Sequence, residues 1–235
     1  MAPRAAAPFL PRWLAAALVS LALSAAVATP AKAAVASVVG ARPFDREQMG
    51  LWAAIGAPDV ELGARWGVSS VWDAGARLRL SYGTGSQLGG FGSSVHALLR
   101  LRIASWAGWD IALAAEPGVF VHAGVQGWTP LAKAGQAGTS ALLGVDLGVP
   151  SAVASTALAG NAVLSLGLAA PALIHLGPEP TLVWQVLTRA QVAVPVAPRW
   201  SVVGGGEIGT AFYGPGAGSP AADPVWRLSL GVSWQ

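Results

Sequence analysis

Cysteine is absent from all 235 residues of the sequence. The chain can therefore form no disulfide bond and offers no thiolate ligand to a metal ion. Charged residues are also scarce, at 11% of the chain, where soluble globular proteins contain about 25%. A water-soluble domain could hardly cover its surface with so few charges, so the composition favours a protein that meets lipid along part of its surface.

The first 33 residues have the pattern of a secretory signal peptide. Arg4 and Arg12 precede an apolar run over residues 13–28, and Ala31-Lys32-Ala33 matches an A-x-A cleavage site. The run is also near the short limit for a membrane-spanning helix, so an uncleaved anchor is the alternative. The pattern predicts a mature chain that begins at Ala34.

Removal of this segment would also remove the net charge of the chain. Three of the 14 Lys and Arg residues precede residue 34, which leaves 11, and all 11 Asp and Glu residues follow it. The basic balance is thus largely a feature of the targeting segment. It indicates no basic surface of the kind that binds nucleic acid.

The last ten residues, 226–235, alternate strictly between apolar and small or polar side chains. Every even position is Trp, Leu or Val, and every odd position is Arg, Ser, Gly or the final Gln. Side chains of a strand alternate between two faces, so one face of this segment is wholly apolar and carries Trp226 and Trp234 near its ends. An outward apolar band with aromatic ends is typical of a strand in a transmembrane β-barrel.

Similar segments recur from residue 48 onward, separated by Gly, Pro, Ser or Asp clusters. We predict an all-β, antiparallel, up-and-down transmembrane barrel over residues 48–235, preceded by a periplasmic lead-in over 34–47. An even strand number is expected when both chain ends lie in the periplasm, and eight or twelve strands are the alternatives to ten. The predicted strands cover 48–56, 60–69, 72–82, 95–105, 108–122, 139–149, 162–175, 181–194, 199–213 and 225–234.

The connections between these strands give a second indication of a barrel. Outer loops should be long and periplasmic turns short, and most of the predicted connections follow that rule. Two break it: the first outer turn, 57–59, is short, and the periplasmic connection 150–161 is long. Residues 157–176 could also form an apolar helix, but Leu164, Leu166 and Leu168 alternate with small residues at strand spacing, which favours a strand.

Aromatic residues fall near the ends of the predicted strands, where the two interfaces of a membrane would lie. Amphipathic rings collect at such interfaces and form aromatic girdles. The alternative is a scatter of core aromatics. The predicted girdle residues are Trp66, Trp72, Tyr82, Trp106, Trp109, Trp184, Trp200, Phe212, Trp226 and Trp234.

Charged residues of the predicted strands should point into the barrel, because an Arg on the lipid face at the midplane costs roughly 2–4 kcal/mol. A barrel of this size has little open space, so we expect these side chains to pair into a salt-bridged plug. An arginine-lined, anion-favouring pore is the alternative. The predicted interior cluster is Glu61, Arg65, Asp73, Arg77, Arg79, Arg100, Arg102, Asp110, Glu116, Arg189, Glu207 and Arg227.

Two histidines, His96 and His122, should also face inward, near Ser94 and Glu116. A His-Ser-Glu hydrolase is a weaker hypothesis, since no local motif of a known outer-membrane lipid hydrolase or protease accompanies them. Residues 204–206 are three glycines, but no Lys-Ser/Thr follows as a phosphate loop requires. We therefore predict a protein that is not an enzyme and has no catalytic residue, metal ion or cofactor.

The chain resembles the superfamily of small bacterial outer-membrane β-barrel proteins over roughly residues 48–235. Residues 50–66 look like the opening hairpin of such proteins, and 226–235 look like the strand that their insertion machinery recognises. Proteins of this kind usually stop on the aromatic residue, whereas Gln235 follows Trp234 here. The resemblance implies export to the outer membrane and contact with lipid, lipopolysaccharide and the insertion machinery. It does not fix an activity, so a structural or loop-mediated binding role is the expectation, and the ligand stays open.

Overall fold

The computed structural model describes residues 37–82, 91–123, 141–177, 180–214 and 222–235. The predicted signal peptide and its cleavage site lie outside the described residues, as do 83–90, 124–140, 178–179 and 215–221 of the predicted outer connections. The strands are β1 Met49–Ala57, β2 Asp59–Gly67, β3 Trp72–Ser81, β4 Phe91–Trp106, β5 Trp109–Ala115, β6 Gly118–Ala123, β7 Ala141–Asp146, β8 Ser151–Ala157, β9 Val163–Ala169, β10 Ala172–Leu176, β11 Thr181–Ala197, β12 Trp200–Tyr213 and β13 Ala222–Trp234.

These segments form one closed antiparallel barrel of ten strands. The first and last strands pair with each other, with Leu51 opposite Trp234 and Ala57 opposite Leu228. Three barrel strands are split into two segments each: β5 with β6, β7 with β8, and β9 with β10. Apart from this pair, all adjacent strands of the barrel are also consecutive in the sequence, as an up-and-down barrel requires. The prediction of an all-β barrel of ten strands is confirmed.

The three split strands lie side by side, and each is interrupted near its middle by a segment that contains proline. Pro117 separates β5 from β6, Pro150 lies between β7 and β8, and Pro171 precedes β10. Proline has no N–H to donate to a neighbouring strand, so it interrupts a ladder of hydrogen bonds. The strand registers place the three interruptions at the same height along the barrel axis.

One predicted connection is wrong for this reason. Residues 150–161 were expected to form a long turn, but β8 continues the barrel strand that β7 begins. The connection itself is short and contains a single 3-10 turn, Ala159–Asn161. The proline interrupts the strand without ending it, which the sequence pattern did not distinguish from a turn.

The apolar stretch 157–176 is divided between strands β9 and β10, in agreement with the alternation of its leucines. The helical alternative is therefore wrong. Across the described residues, no helix is both long enough and apolar enough to pass through a membrane.

The outward face of the barrel is apolar. On β13, Trp226, Leu228, Leu230 and Val232 are exposed, whereas Val225 and Ser233 are buried. Exposed Leu, Val, Ile and Trp side chains recur on the other strands as well, while the buried polar residues are mostly Arg, Asp, His and Ser. This distribution inverts that of a water-soluble protein, in which exposed surfaces carry the charges.

The barrel has two unlike ends, which we name by their connections. At the turn end, tight connections join β2 to β3, β4 to β5, β8 to β9 and β11 to β12. At the loop end lie the tight turn at Pro58 and the strand ends that flank the remaining connections: Ser81 and Phe91, Ala123 and Ala141, Leu176 and Thr181, and Tyr213 and Ala222.

The chain before β1 enters the barrel at the turn end. Ser37, Val38, Ala41 and Phe44 are buried, and 45–48 are exposed. Val38 and Phe44 pack in one cluster with Val163, Ala193 and Val203 from three different strands. Residues 34–47 were predicted to be a lead-in to the barrel; residues 37–44 of this segment lie inside the barrel.

Candidate functional site

Eight charged side chains form a closed ring across the middle of the barrel interior. Acids and arginines alternate around it, and each side chain contacts the two beside it. In order, the ring runs Glu61, Arg79, Asp59, Arg227, Glu207, Arg189, Glu116, Arg77 and back to Glu61.

The shortest ion pairs of the ring lie around Glu116 and Glu207. The Glu116 carboxylate is 2.7 Å from Arg77 Nη2 and 3.2 Å from Arg189 Nη1. The Glu207 carboxylate is 2.8 Å from Arg189 Nε and 3.1 Å from Arg227 Nη1. The remaining pairs are 3.2–3.7 Å long. Because four acids balance four arginines, the ring carries no net charge.

The position of Glu116 depends on the interruption of the wall. It is the residue before Pro117, at the break between β5 and β6. From there its carboxylate joins Arg77 of β3 to Arg189 of β11, on opposite sides of the split region. The break between β5 and β6 therefore places Glu116 where it links the two arginines and completes the ring on this side of the barrel.

A second charged cluster, the turn-end cluster, lies between the ring and the turn end. Asp73 is fully buried and accepts hydrogen bonds from Arg65 at 3.1 Å and from Arg100. Arg100 also donates to the carbonyl oxygens of Ser37, at 2.8 Å, and of Gly40. The Phe44 N–H donates to Asp73 Oδ2 at 3.1 Å. These bonds tie the entering segment to β3 and β4.

Apolar contacts and one further hydrogen bond complete the packing of that segment. The Ala41 N–H donates to Ser155 Oγ at 2.7 Å. The Arg100 guanidinium lies 5.8 Å from the centre of the Phe44 ring, within the range of a cation–π contact. Phe44 and Val38 also lie close to Gly50, where a Cβ would be 2.4 Å from the ring. Residues 37–44 thus fill the turn end of the interior.

All twelve residues of the predicted interior cluster take part in ion pairs. Seven belong to the ring: Glu61, Arg77, Arg79, Glu116, Arg189, Glu207 and Arg227. Arg65, Asp73 and Arg100 form the turn-end cluster, and Arg102 pairs with Asp110 at 3.7 Å. Arg65 pairs with Asp73 at 3.1 Å.

Sequence reasoning missed several residues of the interior. Asp59 was placed in a turn, although β2 begins with it and its carboxylate completes the ring. Trp52 faces inward and donates its indole N–H to Glu61 at 2.7 Å. His175 continues the odd-numbered inward positions of Ser165 and Gly167, so the alternation could have found it. No sequence signal marked residues 37–44 as a filling of the barrel.

The ring divides the interior into two cavities of similar size. The turn-side cavity, about 120 Å³, lies between the ring and residues 37–44. The loop-side cavity, about 100 Å³, lies between the ring and the loop end. Six residues line both cavities, and all six belong to the ring: Asp59, Arg77, Arg79, Glu116, Arg189 and Arg227.

The loop-side cavity contains all three histidines of the chain. His96 Nε2 lies 3.6 Å from the Asp146 carboxylate, which also accepts a 2.9 Å hydrogen bond from the Gly148 N–H. The His122 and His175 rings each meet the Phe120 ring edge-on, at centroid distances of 5.4 and 5.0 Å.

This arrangement lacks the contacts of the hypothesised hydrolase. Glu116 pairs with two arginines rather than with a histidine, and the acid beside His96 is Asp146. Within the described residues, no serine hydroxyl forms a hydrogen bond with His96 or His122, although Ser94 lines the same cavity.

The predicted girdle residues lie near the two ends of the barrel on its outside. Trp66, Trp72, Trp106, Trp109, Trp200 and Trp234 are at the turn end, where Trp106 pairs with Trp109 and Trp200 with Trp234. Tyr82, Trp184, Phe212 and Trp226 are nearer the loop end. Eight of the ten are exposed, and Trp109 and Trp234 are half-buried.

No protein-family model matches the chain, and no curated protein matches its sequence.

Proposed function

We propose that this protein is an exported, integral outer-membrane β-barrel with a closed interior. Its role is structural or is carried by binding at the loop end, without transport or catalysis. The observation that carries this proposal is the combination of an apolar exterior with an interior closed at two levels, by the eight-residue ring and by residues 37–44.

The exterior supports placement in a membrane. Large apolar side chains such as Ile55, Leu168 and Leu230 are each more than 60% exposed. At about 25 cal/mol per Å² of apolar surface, leaving such a wall in water would be highly unfavourable. Lipid on the outside removes that cost, and the aromatic residues at both ends match the two interfaces of a bilayer.

The interior supports a closed barrel over an anion-favouring pore. The arginine–carboxylate pairs of the described interior involve seven arginines and six carboxylates: Arg65, Arg77, Arg79, Arg100, Arg102, Arg189 and Arg227 with Asp59, Glu61, Asp73, Asp110, Glu116 and Glu207. An anion would have to compete with these carboxylates for every guanidinium. Selectivity for anions requires unpaired cationic side chains along the path.

The two cavities favour the pore as the second candidate function, because they would form a path if the ring and residues 37–44 moved aside. Conductance in planar bilayers separates the candidates. The closed barrel should be nearly silent, and the double substitution Arg100→Ala with Arg102→Ala should lower its thermal stability by leaving Asp73 and Asp110 without these partners. Arg199→Ala, at the exposed turn between β11 and β12, is the matched control and should change neither property. Steady anion-selective conductance of the unmodified protein, reduced by the double substitution, would refute the closed barrel.

Export and membrane insertion are tested on the protein isolated from an outer-membrane fraction. Intact-mass measurement should give a chain that begins at Ala34, and recovery of a species that retains residues 13–28 would contradict a cleaved signal peptide. The folded barrel should also migrate differently on SDS gels before and after boiling, since a closed barrel resists the detergent until it is heated. Identical mobilities would argue against a closed membrane barrel.

A further inference from the structure

We propose that the loop-side cavity binds a small zwitterion, a molecule that carries one ammonium group and one carboxylate group, with the ammonium at Asp59 and the carboxylate at Arg227. The inference rests on the proposed closed barrel and deepens its binding role at the loop end by naming a class of ligand. It depends on the incomplete pairing of Asp59, on the exposure of Arg227 and on the alternation of charges in the ring.

Asp59 is the acid of the ring with the longest contacts. Its Oδ2 atom lies 3.5 Å from Arg79 Nε and 3.7 Å from Arg227 Nε. Arg79 Nε has no hydrogen-bond partner among the described residues, and the second distance exceeds the length of a hydrogen bond. The Glu116 and Glu207 carboxylates, in contrast, have contacts of 2.7 and 2.8 Å. Asp59 therefore keeps the capacity to accept a hydrogen bond from a further donor.

The Asp59 side chain is accessible from the loop side of the ring. It is 12% exposed and lines the loop-side cavity, as does the preceding Pro58. β1 and β2 have nine residues each, whereas β11, β12 and β13 have 17, 14 and 13. β1 ends opposite Leu228, and β13 continues beyond that point to Ala222, paired with β12. At the loop end, the described wall is thus lowest at the Pro58 turn, directly beside Asp59.

Arg227 supplies a donor beside this acceptor. It is the most exposed side chain of the ring, at 27%, and it lines the same cavity. Its Nη1 donates to Glu207 at 3.1 Å and its Nε faces Asp59, so that Nη2 remains, among the described contacts, as a donor for a ligand. A carboxylate and a guanidinium group thus stand side by side at the floor of the cavity.

The charges around these two residues disfavour a ligand that carries a single charge. An anion at Arg227 would meet the carboxylates of Asp59 and Glu207. A cation at Asp59 would meet the guanidinium groups of Arg79 and Arg227. Like charges at such distances repel more strongly where water is partly excluded. A zwitterion aligned against the alternation of the ring meets an opposite charge at each of its ends.

The size of the cavity limits the ligand to the smallest zwitterions. Its volume of about 100 Å³ is below the roughly 150 Å³ of a cavity that accommodates benzene. Glycine is smaller than benzene and fits this limit, whereas an amino acid with a long side chain exceeds it. Phe120 and Leu173 give the cavity part of an apolar wall, against which the methylene group of glycine can pack.

Glycine is therefore the probe, and the experiment uses the full mature chain folded in detergent micelles. The protein carries ¹⁵N-labelled arginine, and NMR follows the Nε resonances of Arg79 and Arg227 while glycine is added at constant ionic strength. We expect saturable shifts with a midpoint on the order of 10 mM, because a ligand of so few atoms has limited affinity. Acetate and ethylammonium each carry only one of the two charges and should give no saturable shift.

Two variants should change the selectivity in opposite directions. Asp59→Asn keeps the size of the side chain and removes its charge, so glycine should bind about tenfold to a hundredfold more weakly, and acetate should now shift the Arg227 resonance. Arg227→Gln removes the cation instead, so ethylammonium should shift the Arg79 resonance. Val95→Leu, on the outward face, is the matched control and should bind glycine as the unmodified protein does. A purely structural role of the two residues predicts no such exchange of ligands.

Three outcomes would overturn the site. No saturable shift with glycine would mean that the cavity holds only water, and equal shifts with acetate in the unmodified protein would mark it as an anion site. Glycine shifts that survive both Asp59→Asn and Arg227→Gln would place binding elsewhere. Heat-dependent gel mobility checks that each variant is folded, and the three ligands on the unmodified protein test the site without any variant. A failure of the closed-barrel proposal would appear as steady conductance, whereas a silent barrel without glycine shifts would refute the zwitterion site alone.

Discussion

The two ends of the barrel interior are built in opposite ways. At the turn end, Val38 and Phe44 pack against the wall, and Asp73 joins two arginines to the backbone of the entering segment. At the loop end, three imidazoles and Phe120 surround a cavity instead. Both ends use buried polar side chains, but only at the turn end does the chain itself fill the space between them.

This difference separates stability from function. Buried charges that satisfy one another and the backbone fix a conformation, because removing any partner leaves an uncompensated charge. Polar groups that line a cavity can form further hydrogen bonds, with water or with a ligand. We therefore expect substitutions at the turn end to unfold the barrel, and matched substitutions at the loop end to be tolerated.

The largest effect is expected for Asp73→Ala. It removes the partner of Arg65 and Arg100, and also the acceptor of the Phe44 N–H. Breaking a buried ion pair costs about 3–5 kcal/mol, and the loss of several contacts places this variant at the upper end of that range. Urea unfolding of the protein reconstituted in liposomes measures the change in the free energy of unfolding.

Asp146→Ala is the matched change at the loop end. Asp146 faces His96 at 3.6 Å and accepts one backbone hydrogen bond from Gly148. Its removal leaves no arginine without a partner, whereas Asp73→Ala removes the partner of both Arg65 and Arg100. We expect a loss of about 1–2 kcal/mol, typical of one buried hydrogen bond. Equal losses of unfolding free energy for Asp73→Ala and Asp146→Ala would contradict the expected difference between the two ends.

The sequence predicted the wall well, because the wall follows simple rules. Alternation with a period of two residues reports directly which side chains face out of the barrel, and it located all ten strands. The rule fails at Asp59, which was placed in a turn but begins β2, and at 150–161, where Pro150 interrupts a barrel strand without ending it. A proline-containing break and a proline-containing turn look alike in sequence.

The interior was harder to predict, because its contacts join residues that are distant in the chain. Alternation indicated that Glu61 and Arg189 face inward, but it could not show that they belong to one ring. Residues 37–44 have no strand pattern, and their position depends on Asp73, Arg100 and Ser155. Such contacts are properties of the closed barrel and leave no periodic trace in the sequence.

The next prediction concerns substitutions in the strands of the barrel wall, which should have similar effects near either end. Leu230 is 61% exposed on β13, while the adjacent Ser229 lines the turn-side cavity. Leu230→Arg places a charge on the apolar outward face near mid-wall and should cost about 2–4 kcal/mol in a bilayer, whereas Ser229→Arg places it among polar groups and should cost less. Folding yields in liposomes compare them, and equal yields would contradict the assigned faces.

The smallest effect is a conservative change made once at each end. Phe44→Leu keeps an apolar side chain at a site that is 1% exposed, but it loses the cation–π contact with Arg100 and leaves a void among Val38, Gly50 and the wall. We expect a loss of roughly 1–2 kcal/mol, the sum of a small packing defect and that contact. Phe120→Leu loses edge contacts with two histidines and the packing of its ring on Gly144, but it borders a cavity that already exists, so the space that it leaves adds to that cavity. The loss of unfolding free energy for Phe120→Leu should stay below about 1 kcal/mol. The NMR resonances of His122 and His175 should change, because both rings contact Phe120. A larger loss for Phe120→Leu than for Phe44→Leu would mean that the loop end, rather than residues 37–44, holds the barrel together.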